Sequence, residues 1–230
     1  MKLVKTTLKG EVVWQAGVPE CKEYEPKPDP KDSTKTQPAK FNPTNICWLP
    51  DGGFTVGDGY GSNYMLNYDK DGKLVKVFGG GGNALGKLST PHGQWLDARD
   101  KDKPVLVVCD RANARLQWFD LDGKALAAST PKELVLFPAH AKTRGDVLLV
   151  PDLHARVSIL DRANKPIVHL GDDEVWRKKV LDGFKVRGQP KEWVSGKFVH
   201  PHDAAFDKDG NIFVVEWVST GRVTFLKKVA

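Results

Sequence analysis

The stretch HPHDAAFDKDGNIFVVEW, residues 200–217, sets out an order of signals that returns three times upstream. Each copy has a proline, a short apolar strand, a turn, a second strand ending in an acid, and then a polar corner. The other copies are FNPTNICWLPDGGFTVGD (41–58), TPHGQWLDARDKDKPVLVVCD (90–110) and FPAHAKTRGDVLLVPD (137–152). The marker prolines Pro43, Pro91, Pro138 and Pro201 are 48, 47 and 63 residues apart. After each corner comes an alternating strand and a D-x-D-G or D-x-x-N turn, the chemistry of tight antiparallel reversals. About four strands fit each unit. A repeat of that length, rich in turn residues and short of helix signals, predicts an all-β fold, a β-propeller of four-stranded antiparallel blades.

The predicted blades cover 41–80, 90–129, 134–170 and 201–230, with 1–16 as the outer two strands of a partial blade. Inner strands are expected at Thr44–Leu49, His92–Asp97, Ala139–Lys142 and His202–Asp207. Second strands are expected at Phe54–Asp58, Val105–Asp110, Val147–Asp152 and Ile212–Glu216. The runs FTV, VLVV, VLLV and IFVV suit strands covered on both faces. Two segments stand outside the repeat: the polar, proline-rich 19–40, and an insertion at 171–200 that should hold one short helix near Asp173–Leu181. With a partial blade at one end and three strands at the other, the expectation is a small closed ring or, preferably, an arc of a longer propeller.

Composition narrows the rest. The chain has 230 residues, a net charge of +6, 22 Gly, 15 Pro and 3 Cys. Its lysines alternate with acids in the turns, so no basic block points to nucleic acid. No apolar run is long enough to span a membrane, and the first residues lack the apolar core of a secretory signal. As written the chain would be cytoplasmic if complete, and exported if its start is missing. Cys21, Cys47 and Cys109 show no CxxC spacing, which indicates neither a disulfide framework nor a thiolate zinc site. The D-x-D-G turns place Gly fourth rather than sixth and are hairpin turns, not EF-hand loops.

In an up-and-down blade, the start of the inner strand and the end of the second strand emerge on the same face. His92 and His202 follow their marker prolines directly, and His140 lies two after its own. Imidazoles from separate blades converging on the axis could hold zinc with an open position, and His154 could serve as a ligand. The recurring acids Asp58, Asp110, Asp152 and Glu216 read as structural, closing each corner by accepting backbone N–H bonds. The residues that differ between corners, Tyr60, Arg111 and His154, are the candidates for specificity. Tyr60 beside Arg111 could act as base and anion clamp. A peptide or small molecule at the central channel face is the expected partner.

The strings DGYGSN (58–63), TPHG (90–93), CDRANARLQWF (109–119) and HPHDAAFDKDGNIFVVEW (200–217) resemble NHL-repeat propellers, and specifically their peptidyl-α-hydroxyglycine α-amidating lyase branch. The resemblance covers about residues 41–128 and 198–228. It implies a partial version, about four to five blades, of a six-bladed ring. It also implies zinc held by three histidines, a stabilising calcium, and cleavage of a peptidyl hydroxyglycine to a peptide amide and glyoxylate. Carried over by motif, His92 and His202 would be zinc ligands, Tyr60 the base, Arg111 the carboxylate or oxyanion contact, and Asp203 a calcium contact. The family's first zinc histidine lies upstream of DGY, in a blade this chain lacks. That leaves His140, His154, or a set one ligand short. Gly61 stands where the family has Cys, and the Arg after that corner is absent. The alternative expectation is a noncatalytic propeller that binds protein or a small ligand.

Overall fold

The computed structural model describes residues 1–229. The chain opens with a hairpin, β1 (Leu3–Thr6) and β2 (Val12–Ala16), and a second small hairpin, β3 (Lys27–Asp29) and β4 (Asp32–Gln37). Four antiparallel blades follow in a propeller arrangement. Blade A is β5 (Asn45–Trp48), β6 (Phe54–Gly57), β7 (Tyr64–Tyr68) and β8 (Leu74–Gly79). Blade B is β9 (Pro91–Asp97), β10 (Val105–Asp110), β11 (Arg115–Phe119) and β12 (Ala125–Ala128). Blade C is β13 (Lys142–Arg144), β14 (Val147–Asp152), β15 (Arg156–Leu160) and β16 (Pro166–Leu170). Blade D has three strands, β17 (Pro201–Phe206), β18 (Ile212–Glu216) and β19 (Arg222–Leu226). Each strand pairs with its neighbour in sequence, which is the up-and-down order the repeat predicts.

The apolar runs form the seams between blades. Met65, Leu106, Val108 and Phe119 pack between A and B, and Val107, Leu116, Leu148 and Val150 between B and C. Leu149, Val157, Ala204 and Val214 pack between C and D. On the far side of A, Leu3 and Trp14 of the first hairpin cover Phe54 and Val56. The inner strand of B must pass close to blade C. A Cβ at Gly93 would lie 2.4 Å from the Ala139 carbonyl oxygen, so only glycine fits there.

Two expectations need correction. The inner strand of C is Lys142–Arg144, not Ala139–Lys142; above it Pro138 makes only an isolated bridge to Asp152. The Gly145–Asp146 reversal fixes Arg144 opposite Val147, and the ladder ends at Lys142 opposite Leu149. The proline marked the corner but not the strand. The run IFVV of blade D is covered on one face only: Ile212 and Val214 are buried, while Phe213 and Val215 are exposed, with Val223 and Phe225 beside them. The segment 19–40 lies outside the four blades as a hairpin of its own, held against blade A by the buried Tyr24, whose hydroxyl donates to Asp58 at 2.7 Å.

The insertion forms the short helix α1 (Glu174–Leu181), with Asp173 as N-cap accepting from the Trp176 N–H at 2.9 Å. Trp176 and Val180 pack on Val199 and Val218, seating the insertion against the corner of blade D. Among the described residues, no helix is long and apolar enough to cross a membrane.

Candidate functional site

The corners are held by their acids. Asp58 accepts from the backbone N–H of Asn42 and Ser62, and Asp152 from those of Leu136, Phe137 and His154. Asp110 accepts from Ser89 N–H, Asn113, Gln117 and the Arg115 guanidinium, and Glu216 from Val199 N–H. Every carboxylate is buried and faces donors, so the acids close corners and do not offer free oxygens to a ligand. The Asp58 carboxylate also explains the departure at the next corner position. A Cβ on Gly61 would fall 2.2 Å from Asp58 Oδ1, so the side chain expected by the family resemblance has no room here.

The residues immediately after these acids line a cavity of about 600 Å³. Arg111, Leu153 and Trp217 each follow a corner acid, and Tyr60 and His154 lie one position further on. The Arg111 side chain is buried and reaches across blades: its Nε donates to the Pro138 carbonyl at 3.3 Å and its Nη1 to the Tyr60 hydroxyl at 3.1 Å. Its charge lies over the Phe137 ring, 5.3 Å from the centroid. Nη2 has no hydrogen-bond partner, which is costly for a buried cation unless something else pairs with it.

The histidines gather beside this pair. His92 and His202 meet edge to face with ring centroids 4.9 Å apart, and Tyr60 stands 5.6 Å from His92. Burial, helped by the charge of Arg111, holds the His92 imidazole down to about 3, and burial likewise lowers His202 and His140. All three are therefore neutral near pH 7, the state a metal ligand needs. His92 Nδ1 donates to the Ala139 carbonyl at 2.8 Å, leaving Nε2 as the free nitrogen.

His140 packs on Gly93, but its Nδ1 faces Asp203 at 3.7 Å. His154 lies on the cavity wall, stacked on Phe137 at 5.0 Å. His200 is fully buried, bonded through Nδ1 to the Leu153 carbonyl, and lies against Phe184 and Trp217. His169 bonds Ser158 on the outer strands, away from the site.

Two imidazoles sharing a tetrahedral metal, with bonds near ~2 Å, stand roughly 5 Å apart between ring centres, the separation His92 and His202 have, which makes them the residues to test as ligands. A third protein ligand is not in place. Among the described residues, no three His, Cys, Asp or Glu side chains are grouped to hold a metal ion. Asp203 suits calcium poorly, because its Oδ2 is paired with Lys142 Nζ at 2.9 Å and its Oδ1 accepts from Ala204 N–H.

The sequence reading missed Phe137, Leu153, Trp217 and Phe184. The first three had a signal, since Leu153 and Trp217 occupy the Arg111 position of their units and Phe137 precedes a marker proline. Phe184 had none, because it comes from the insertion.

No family model matches the chain, and no curated protein matches its sequence. Solved structures do resemble it. Hydrazine synthase of Kuenenia stuttgartiensis superimposes with a TM-score of 0.56 at 12% identity, over 81% of this chain and 46% of that one. A protein of unknown function from Bacteroides caccae gives 0.55 at 14% identity, over 94% of this chain and 64% of that one. The chain thus spans about half to two-thirds of the length of these structures. At such identities the likeness concerns the propeller fold alone.

Proposed function

We propose that the protein is an NHL-type propeller that cleaves the C–N bond of an N-acyl α-hydroxyglycine, releasing a primary amide and glyoxylate. The observation that carries this reading is the Tyr60–Arg111 contact beside the His92 and His202 rings at one cavity. It agrees with the corner and Pro-His strings that resemble the amidating lyases. Arg111, which lines the cavity, supplies a cation for the substrate carboxylate. The Tyr60 oxygen, held by Arg111 Nη1, takes the proton of the substrate hydroxyl. The oxygen's electron pair then forms the aldehyde C=O, and the C–N bond breaks, its bonding pair leaving with the amide nitrogen. Proton return to this nitrogen completes the amide, so no external oxidant or water is consumed. His92 and His202 would hold a divalent metal such as zinc, which when bound would polarise the hydroxyl oxygen.

Ligand binding without turnover is the second reading, favoured by the lack of a third grouped metal ligand among the described residues. Glyoxylate release from N-benzoyl-α-hydroxyglycine by zinc-supplemented protein separates the two. Turnover that disappears in His92→Ala and in His202→Ala supports the lyase. Absence of glyoxylate from a folded, zinc-supplemented protein rejects it.

A further inference from the structure

The cavity is larger than the reacting unit requires. About 600 Å³ lies within the range that encloses a drug-sized molecule, while hydroxyglycine itself is a few atoms across. Beside the polar Tyr60, Thr90, Arg111, His154 and His202, the wall carries an apolar group, Phe137, Leu153, Phe184 and Trp217. Phe184 is 50% exposed and Trp217 45%, so two large rings from different elements are held open to solvent around one opening. Grouped exposed apolar surface of this kind marks a place where something binds.

Their support is built rather than incidental. Phe184 adopts φ +56, a left-handed conformation that a bulky residue avoids, and such outliers persist where the surroundings impose them. Its ring rests 5.3 Å from that of the buried His200. Trp217 is stacked by Arg187, whose guanidinium carbon lies 3.3 Å from the ring centroid. The Arg187 carbonyl accepts from Ser219 N–H, tying the insertion to the blade D corner. The insertion therefore brings an aromatic ring to a cavity that Arg111 also lines.

We propose that the insertion is a specificity element: Phe184, with Trp217, selects carboxylates that carry an aromatic acyl group, the carboxylate pairing with Arg111 and the aromatic body packing between the two rings. This rests on the Arg111 carboxylate contact of the reading above, but not on catalysis. In an N-acyl glycine the amide sets the acyl group a few bonds from the carboxylate, so the ligand presents both features at once.

Titration calorimetry on the full chain tests it with N-benzoylglycine, N-acetylglycine and benzamide, none of which can be cleaved by the proposed step. Benzoylglycine should bind at least tenfold more tightly than either acetylglycine, which lacks the ring, or benzamide, which lacks the carboxylate. Phe184→Ala should narrow the benzoyl-to-acetyl ratio at least fivefold while leaving acetylglycine within twofold, and Phe184→Leu should restore part of the ratio. Circular dichroism checks that each variant is folded. Equal affinities in the parent protein, no saturable binding at millimolar concentrations, or a ratio untouched by Phe184→Ala would each overturn the proposal. Selectivity without glyoxylate release would reject the lyase alone; glyoxylate release without selectivity would reject only the role of the insertion.

Discussion

Lys142 Nζ lies 2.9 Å from Asp203 Oδ2, an ion pair that joins the inner strand of blade C to that of blade D. His140 Nδ1 faces the other oxygen of the same carboxylate at 3.7 Å. Both Asp203 oxygens already have partners, and calcium demands six or more oxygen ligands. Millimolar calcium should therefore shift the melting temperature by less than about 1 °C. A calcium-dependent rise of several degrees in calorimetry would show that Asp203 serves the ion after all. Lys142→Met should cost about 1 kcal/mol, since the pair is partly solvated.

Tyr60 is half-exposed, and its hydroxyl accepts from the buried Arg111 Nη1, so Tyr60→Phe should cost about 1 kcal/mol of stability by leaving that donor unmatched while the protein stays folded. Under the proposed lyase reading it should lower kcat for glyoxylate release by about 10²-fold or more, the usual weight of a positioned acid or base. Stopped assays on the purified variant decide this. A kcat within a factor of three of the parent would remove Tyr60 from the chemistry.

Stability should fall on mild acidification. Burial lowers His92, His140, His154, His200 and His202 in the folded state, whereas the unfolded chain takes up their protons near pH 6.5. The unfolded state thus binds more protons as pH drops below about 6.5, and stability present above that pH is lost progressively toward pH 3. His92 alone accounts for about 2 kcal/mol between pH 7 and 5. Asp58 and Glu216, raised by burial, work in the opposite direction and shallow the slope. Urea titrations at pH 7 and pH 5 measure it, and His92→Gln should flatten the difference.

Asp152 holds three backbone N–H groups, with Arg156 close by. Asp152→Ala strands those donors in a buried corner and should cost about 3 kcal/mol or more. Asp152→Asn, which keeps one acceptor oxygen, should cost less. Chemical denaturation of both variants checks the order; equal and small losses would mean the acid is dispensable to the corner.

The order of blades was legible because proline, apolar strand and corner acid recur together, and sheet pairing follows sequence order. Blade C shows the limit of such reading. Pro138 has the same place in the repeat as Pro91 and Pro201, yet the strand starts only at Lys142, because register depends on the reversal at Gly145–Asp146 rather than on the proline. The meeting of Tyr60, Arg111, His92 and His202 was also legible, since symmetry places equivalent positions on one face. Phe184 was not, because nothing local tells where an inserted segment will come to rest.

In three of the four corners, the carboxylate that secures the chain and the side chain that can meet a visitor are neighbours in sequence: Asp110 and Arg111, Asp152 and Leu153, Glu216 and Trp217. The anchoring residue keeps its bonds whatever stands beside it. Descendants of such a scaffold are free to exchange the second member of each couple, a guanidinium for an indole or an alkyl group, and so take up new chemistry without renegotiating how the disc is assembled.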